Sequence, residues 1–327
     1  MKNLYNYLVL FLFIIVSCQK ADRVSEVEEP QMFSLTERSC ASNEVLEQQL
    51  ASDPALRTRM EQIEEFTRNY LKNARTSTER ATITIPVVVH VVYNTSTQNI
   101  HDLQVQSQID VMNEDFNLEN ADHTKVPGEF EDEKSNVNIR FVLDRTIRVK
   151  TTKKSFGTDD GVKYTKRGGS DVVEPSKYLN LWVCNLGQNL LGYAQFPGGN
   201  PATDGIVVLY SATGSKDKYP NGVYVNNYNL GRTATHEIGH WINLRHIWGD
   251  ATCGTDYVDD TPVHNTSNGG CPPADHRSTC TGTPLEMWMN YMDYTYDQCM
   301  YMFSNGQKLR ADAVFAAGGP RASMARK

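Results

Sequence analysis

The chain has 327 residues, 39% hydrophobic and 22% charged, and 32 Lys and Arg against 39 Asp and Glu leave a net charge of −7. That composition supports a globular core of ordinary size, and the absence of a long basic run excludes nucleic acid as the main partner, because phosphate binding needs concentrated positive charge. The longest apolar run, Leu8 to Val16, has nine residues against the ~20 of a membrane-spanning helix, which excludes such a span.

Lys2, this apolar run and Ser17-Cys18 read as an export signal over residues 1–17. Ile15-Val16-Ser17-Cys18 resembles a bacterial lipobox, in which cleavage before Cys18 leaves its thiol to carry lipid and tether the chain to a membrane surface. Simple secretion is the alternative. Either way the chain is exported, as a secreted protein or a cell-surface or outer-membrane lipoprotein, and its cysteines mature in an oxidising compartment. Residues 19–43 are polar and read as a tether. From Glu44 to Asn73 the spacing of Met60, Ile63, Phe66 and Tyr70 is helical, with a helix start at Asp53-Pro54. The charged break from Arg75 to Arg80 separates residues 18–79 from a second region, 80–327.

That region opens with the β-branched run from Ile83 to Val92, a buried strand. Val105, Ile109, Met112 and Phe116 step as an amphipathic helix. Alternation marks strands at Val137–Leu143 and at Leu179–Val183, and Ile206–Leu209 is a further short strand. A helix is expected from about Arg232 to Leu244, then loops rich in Gly, Pro, Thr and Cys to about Pro284. A last helix runs from Ser304 to Ala317, stopped by Gly318-Gly319. The fold class is α/β (α+β).

Within the Arg232 helix lies His236-Glu237-Ile238-Gly239-His240, followed by Trp241-Ile242-Asn243-Leu244-Arg245-His246. Histidines four apart share a helix face and can aim at one ion, with Glu237 beside them. His246 cannot join from a continuing helix, because ten residues carry it about 15 Å along the axis. The chain must turn sharply, and Asn243, which tolerates the left-handed conformation, stands where the turn is needed. His90, His101, His123, His264 and His276 are read as structural or surface residues.

The stretch His236–His246 resembles the extended zinc signature of the metzincins, and Asn in its Gly position is most similar to the pappalysin family. Asn290-Tyr291-Met292-Asp293-Tyr294 resembles the family's Met-turn, in the right order and about fifty residues downstream. The resemblance runs from about Ile85 to the last helix. It implies a secreted or lipid-anchored zinc endopeptidase of metzincin-like fold, with a sheet and zinc helix above a cleft and a loop-rich, disulfide-stapled part below. His236, His240 and His246 would hold zinc, Glu237 would act as general base on a water whose pKa the ion lowers, and Tyr294 would stabilise the oxyanion. Met292 would lie beneath the metal.

Seven cysteines divide unevenly. Cys253, Cys271, Cys280 and Cys299 follow the zinc helix, where the core is poorest, and allow three pairings; the resemblance favours Cys253–Cys280 and Cys271–Cys299. Cys184, in an apolar strand, reads as a buried free thiol. Cys40, far outside the catalytic region, resembles the cysteine switch of related zymogens, in which a thiolate blocks the metal. Residues 19 to about 79 would then be a pro-segment, removed near Arg75 or Arg80. The resemblance also implies a calcium ion held by Asp256, Thr261 and the Asp259 carbonyl, and hard oxygen ligands on a turn suit that ion. Finally, it makes Asp297 the floor of the pocket for the residue just after the scissile bond, which favours cleavage before Arg or Lys. The partners expected are protein and peptide substrates of a monomeric enzyme. Two rivals are a gluzincin using Glu286 as ligand, weak because Glu286 sits in a loop after Pro284, and a catalytically silent adhesin or binding module. Intact Glu237 speaks against the second.

Overall fold

A computed structural model describes residues 37–74 and 81–325; the export signal, Cys18, the tether up to residue 36 and the break at 75–80 lie outside the described residues. The sheet is built on β1 (Ile83–Tyr93), whose β-branched sequence is buried without a break from Val87 to Val92. It pairs in parallel with β2 (Ile139–Lys150) on one side and β3 (Leu179–Cys184) on the other. Pro86 is accommodated because the β3 ladder begins only at Val87. β5 (Ile206–Leu209) continues the parallel order, and the short β4 (Gly192–Ala194) closes the sheet as an antiparallel edge, giving the order β2-β1-β3-β5-β4.

Two helices cover the sheet. α3 (Asp102–Phe116) buries Val105, Ile109, Met112 and Phe116, the face read from the sequence, and His101 caps it by accepting from the Leu103 amide. α4 (Arg232–Trp241) packs against α3, β4 and β5 and is buried along its whole length. Residues 244–304 then form coil and turns with one 3-10 turn at Asp297–Cys299, stapled by Cys253–Cys280 and Cys271–Cys299, with Cα separations of 5.8 and 5.7 Å. α5 (Asn305–Phe315) closes the chain behind a reciprocal Ser304–Gln307 capping box, and its first turn also donates to Asp260.

Three elements and one missed strand depart from the sequence reading by more than a residue or two. The helical stretch before residue 75 is two helices, α1 (Ser42–Ser52) and α2 (Pro54–Ala74), because Asp53 adopts an extended backbone. The zinc helix stops at Trp241 instead of Leu244, since Asn243 takes φ 71° and the Leu244 amide turns back to the Gly239 carbonyl. β2 starts at Ile139 and runs to Lys150 through a charged, half-exposed half where no alternation is visible. β4 carries Gly-Tyr-Ala, too short for any periodic signal.

Candidate metal centre and cleft

α4 and the turn at Asn243 bring His236, His240 and His246 together, and the sulfur of Cys40 joins them: one ligand atom from each of the four lies within 4.8 Å of all the others. Each imidazole is oriented through Nδ1, by the Tyr291 carbonyl for His236 (2.7 Å), the Leu244 carbonyl for His240 (2.9 Å) and the Asp250 carboxylate for His246. Acceptors at Nδ1 put the proton there and leave each Nε2 with a lone pair. The buried Nε2 of His236 has no hydrogen-bond partner, and those of His240 and His246 stand 3.1 Å apart. Three converging lone pairs need a cation between them. Burial holds His236 and His240 well below the ordinary histidine range and so keeps them neutral, as ligands must be. This donor set fits zinc with three nitrogens and a fourth position.

Glu237 lies beside the histidines under β4. A Cβ on Gly192 would come within 2.8 Å of its Oε1 and of the Val207 carbonyl, so only glycine leaves room for this carboxylate. Burial pushes Glu237 up to about 7 against the hydrogen bonds that favour its ionised form. Those bonds come from Ser42 Oγ, at 2.9 Å, and Cys40 Sγ, at 3.3 Å. On the other side of the helix a Cβ on Gly239 would meet Met292 Sδ at 2.2 Å, which is how closely the Met-turn lies beneath it. Tyr294 faces the histidines from that turn, with its ring 5.0 Å from His246 and its hydroxyl donating to the Cys40 carbonyl at 3.1 Å. Trp248 stacks on His246 at 4.3 Å.

The segment before α1 fills the cleft. The Leu191 amide donates to the Ser39 carbonyl and the Ala41 amide to the Gly192 carbonyl, so the chain runs parallel to β4. Two residues before Cys40, Arg38 enters a pocket formed by Tyr228, Thr233, Thr295 and Met300. Its guanidinium meets Asp297 Oδ1 at 2.6 Å, with the two side chains 1% and 0% exposed. Oδ2 of Asp297 accepts from the Leu230 and Arg232 amides at 2.9 and 3.3 Å. Arg232 in turn grips the Asp297 carbonyl and, with both nitrogens, Asp122. Behind it, burial raises Asp115 to about 6 against the pull of Arg232, while Thr235 and Tyr291 donate to its carboxylate.

In the stapled loop Thr261 Oγ1 lies 3.0 and 2.9 Å from the two Asp256 oxygens, the Val258 amide donates to Asp256, and Asp259 keeps an exposed side chain. Burial pushes the Asp256 carboxyl up to about 7. Glu286 is held away from the metal centre by Asn265, Asn268 and His276. Cys184 is a buried free thiol, and burial raises it out of reach of ionisation. Arg38, Ser42 and Asp250 were missed in the sequence. Asp250 had a signal, following directly on His-Ile-Trp-Gly; Arg38 and Ser42 were visible only as neighbours of Cys40.

The profile of the peptidase M43 family, described as pregnancy-associated plasma protein-A, matches residues 164–316. An extracellular metalloprotease of Arthroderma benhamiae is 32% identical over 234 residues, 70% of this chain and 76% of that protein. One from Pyricularia oryzae is 33% identical, covering 75% and 79%. Among solved structures, a Tannerella forsythia promirolysin mutant superposes with TM-score 0.79 at 42% identity, covering 88% of this chain and 97% of that one. Mature mirolysin from the same organism, in complex with a cleaved peptide, superposes with TM-score 0.72 at 45% identity, covering 76% and 97%.

Proposed function

The chain belongs to the pappalysin (M43) family of metalloendopeptidases, and we propose that it is an exported zymogen whose mature form cuts peptide bonds on the amino side of Arg and Lys. Zinc, held by His236, His240 and His246, would supply Lewis acidity towards a water and towards the scissile carbonyl. Glu237 then acts as general base, taking a proton from the attacking water and returning it to the leaving amine. Tyr294, whose hydroxyl donates to the Cys40 carbonyl at 3.1 Å, donates in the active form to the oxygen on which charge develops.

Latency follows from residues 37–42. Cys40 Sγ stands among the three histidines and Ser42 ties up Glu237. Burial and the Glu237 carboxylate push the Cys40 thiol well above its ordinary value; a cation at the converging nitrogens reverses that preference and favours thiolate. Residues 18–79 are the tether and pro-segment, released near Arg75 or Arg80, and 80–327 the catalytic domain. Asp256, Thr261 and the Asp259 carbonyl form a calcium site, a use for a buried carboxylate that is bonded to Thr261 and the Val258 amide. The signal peptide over 1–17 and a lipid on Cys18 complete the export reading.

One observation supports the specificity: Arg38 occupies the Asp297 pocket, with its guanidinium 2.6 Å from the carboxylate. Digesting a peptide library and sequencing the new amino termini tests it. They should begin with Arg or Lys, and Asp297→Ala should erase that preference more than general activity. Termini that are mainly apolar would sink the assignment.

A further inference from the structure

Among the described residues, Arg38 is one of two charged pro-segment side chains that form an ion pair with a buried residue of the catalytic region. On α2, Glu64 receives Arg310 through both guanidinium nitrogens at 3.0 and 2.8 Å, with the Arg310 side chain 1% exposed. Arg310 also donates to the Tyr257 and Asn243 carbonyls at 3.4 Å each and lies against the Tyr257 ring, while its Nε has no partner. Arg245 approaches the same ring, 5.9 Å from its centre. The hollow between α1, α2 and this surface is about 360 Å³; the pro-segment lines it with Glu47, Glu61 and Glu64 together with Arg57 and Arg68, and the catalytic side with Arg245 and Tyr257. On the catalytic side Asp256 feels the Arg310 charge but makes its hydrogen bonds with Thr261 and the Val258 amide, and Asp260 is held by the start of α5.

Loss of α2 would strip Arg310 of its carboxylate and leave it two long carbonyl contacts. A guanidinium that has lost its bidentate carboxylate keeps only the more distant charge of Asp256, so a carboxylate that returns to it regains a charge-assisted fork. The position along the cleft follows from the pro-segment's own path. From Arg38 the chain passes the histidines at Cys40, reaches Ala194 at Ser42, and packs Leu46 against Phe196 beyond the end of β4. The α1–α2 surface therefore lies across the metal centre from the Asp297 pocket. If that pocket holds the residue after the scissile bond, Arg310 faces residues before it.

We propose that Arg310, with Arg245 beside it, is an acid-recognition site of the mature protease for an Asp or Glu side chain of the substrate on the amino side of the scissile bond. Glu64 fills this site in the precursor. The proposal rests on the reading that residues 37–74 are the detachable segment.

The full chain is allowed to mature and its amino terminus is sequenced. The mature enzyme is then given peptides with an Arg cleavage site and either Glu or Gln at successive positions before it. At one position Glu should raise kcat/KM about tenfold over Gln, ~1.4 kcal/mol. The gain should shrink with added salt, vanish in Arg310→Gln and persist in part in Arg310→Lys. A second measurement covers a misfolded Arg310→Gln: a peptide of residues 54–74 should inhibit the wild-type enzyme more strongly than its Glu64→Gln form. An enzyme that starts after Ala74 but treats Glu and Gln alike, or two peptides of equal potency, overturns the site alone. An active species that still carries residues 54–74 overturns the pro-segment reading, and the site with it.

Discussion

Replacing Arg38 by Ala in the full-length chain tests how the cleft is kept shut. The Arg38–Asp297 contact is a 2.6 Å charge-assisted bond between side chains 1% and 0% exposed. Breaking such a pair by removing one partner costs about 3–5 kcal/mol, chiefly for the charge left behind. Asp297 keeps two main-chain amides after the change, which places the cost at the lower end. About 3 kcal/mol corresponds to roughly a hundredfold rise in the population whose segment has left the cleft. Cys40 reports that population, because its sulfur stands among the three histidines while the segment lies in the cleft and reacts faster once it has left. Alkylation with a small reagent, followed by mass mapping of the Cys40 peptide, should run about a hundredfold faster in Arg38→Ala. Arg38→Lys should fall between, since it keeps the charge and loses the fork. In a double-mutant cycle with Asp297→Ala the two effects should not add. An Arg38→Ala chain that alkylates within twofold of wild type would show that the pair is a bystander and that the metal centre alone holds the segment.

Glu237→Ala should lower peptide hydrolysis by about 10²–10⁴-fold while the zinc content, measured by atomic absorption, stays at that of the wild type. Selective calcium removal should lower the melting temperature by about 5–10 °C, the effect of losing a ligand present at about 100 times its Kd, and Asp256→Asn should be insensitive to calcium. For pH, burial raises Asp115 from 3.8 to about 6, so its contribution is complete below pH 3.8 and is lost as the pH rises through 6. Wild type should therefore lose about 2 kcal/mol between pH 4 and 7 relative to Asp115→Asn, and parallel stability curves for the two chains would refute the buried-carboxyl account.

The sheet and the metal centre were legible in the sequence for different reasons. β1 announces itself because a strand buried on both faces needs β-branched residues almost throughout, and α3 because one buried face imposes its period. The histidine spacing and Asn243 carry geometric demands that hardly any other sequence meets. β4 was not legible: its three residues are chosen for what approaches them, Glu237 against Gly192, and that contact is set by the fold. The second half of β2 was hidden for the opposite reason, since a half-exposed edge strand accepts Arg and Asp without an apolar pattern. Arg38 and Ser42 sit in a polar stretch with no periodicity, and only the path of the chain through the cleft gives them a function. Asp115 and Arg232 look like solvated charges in the sequence, yet tertiary packing buries both and ties the Asp297 pocket to α3.

The pairing of Ser39 and Ala41 with β4 has a consequence for how the protein is made. β4 is bonded to β5 on one side only, so without the pro-segment its other edge is a row of open amides and carbonyls, the kind of edge on which sheets from different molecules join. A five-stranded sheet whose central partners come from distant parts of the chain assembles slowly, and its rim is exposed while it does so. Residues synthesised ahead of that sheet supply the missing strand in cis, at a local concentration no second molecule can match. The same segment that blocks the cleft thus acts as an assembly jig, and a catalytic domain expressed without it should collect in aggregates even when every catalytic residue is replaced.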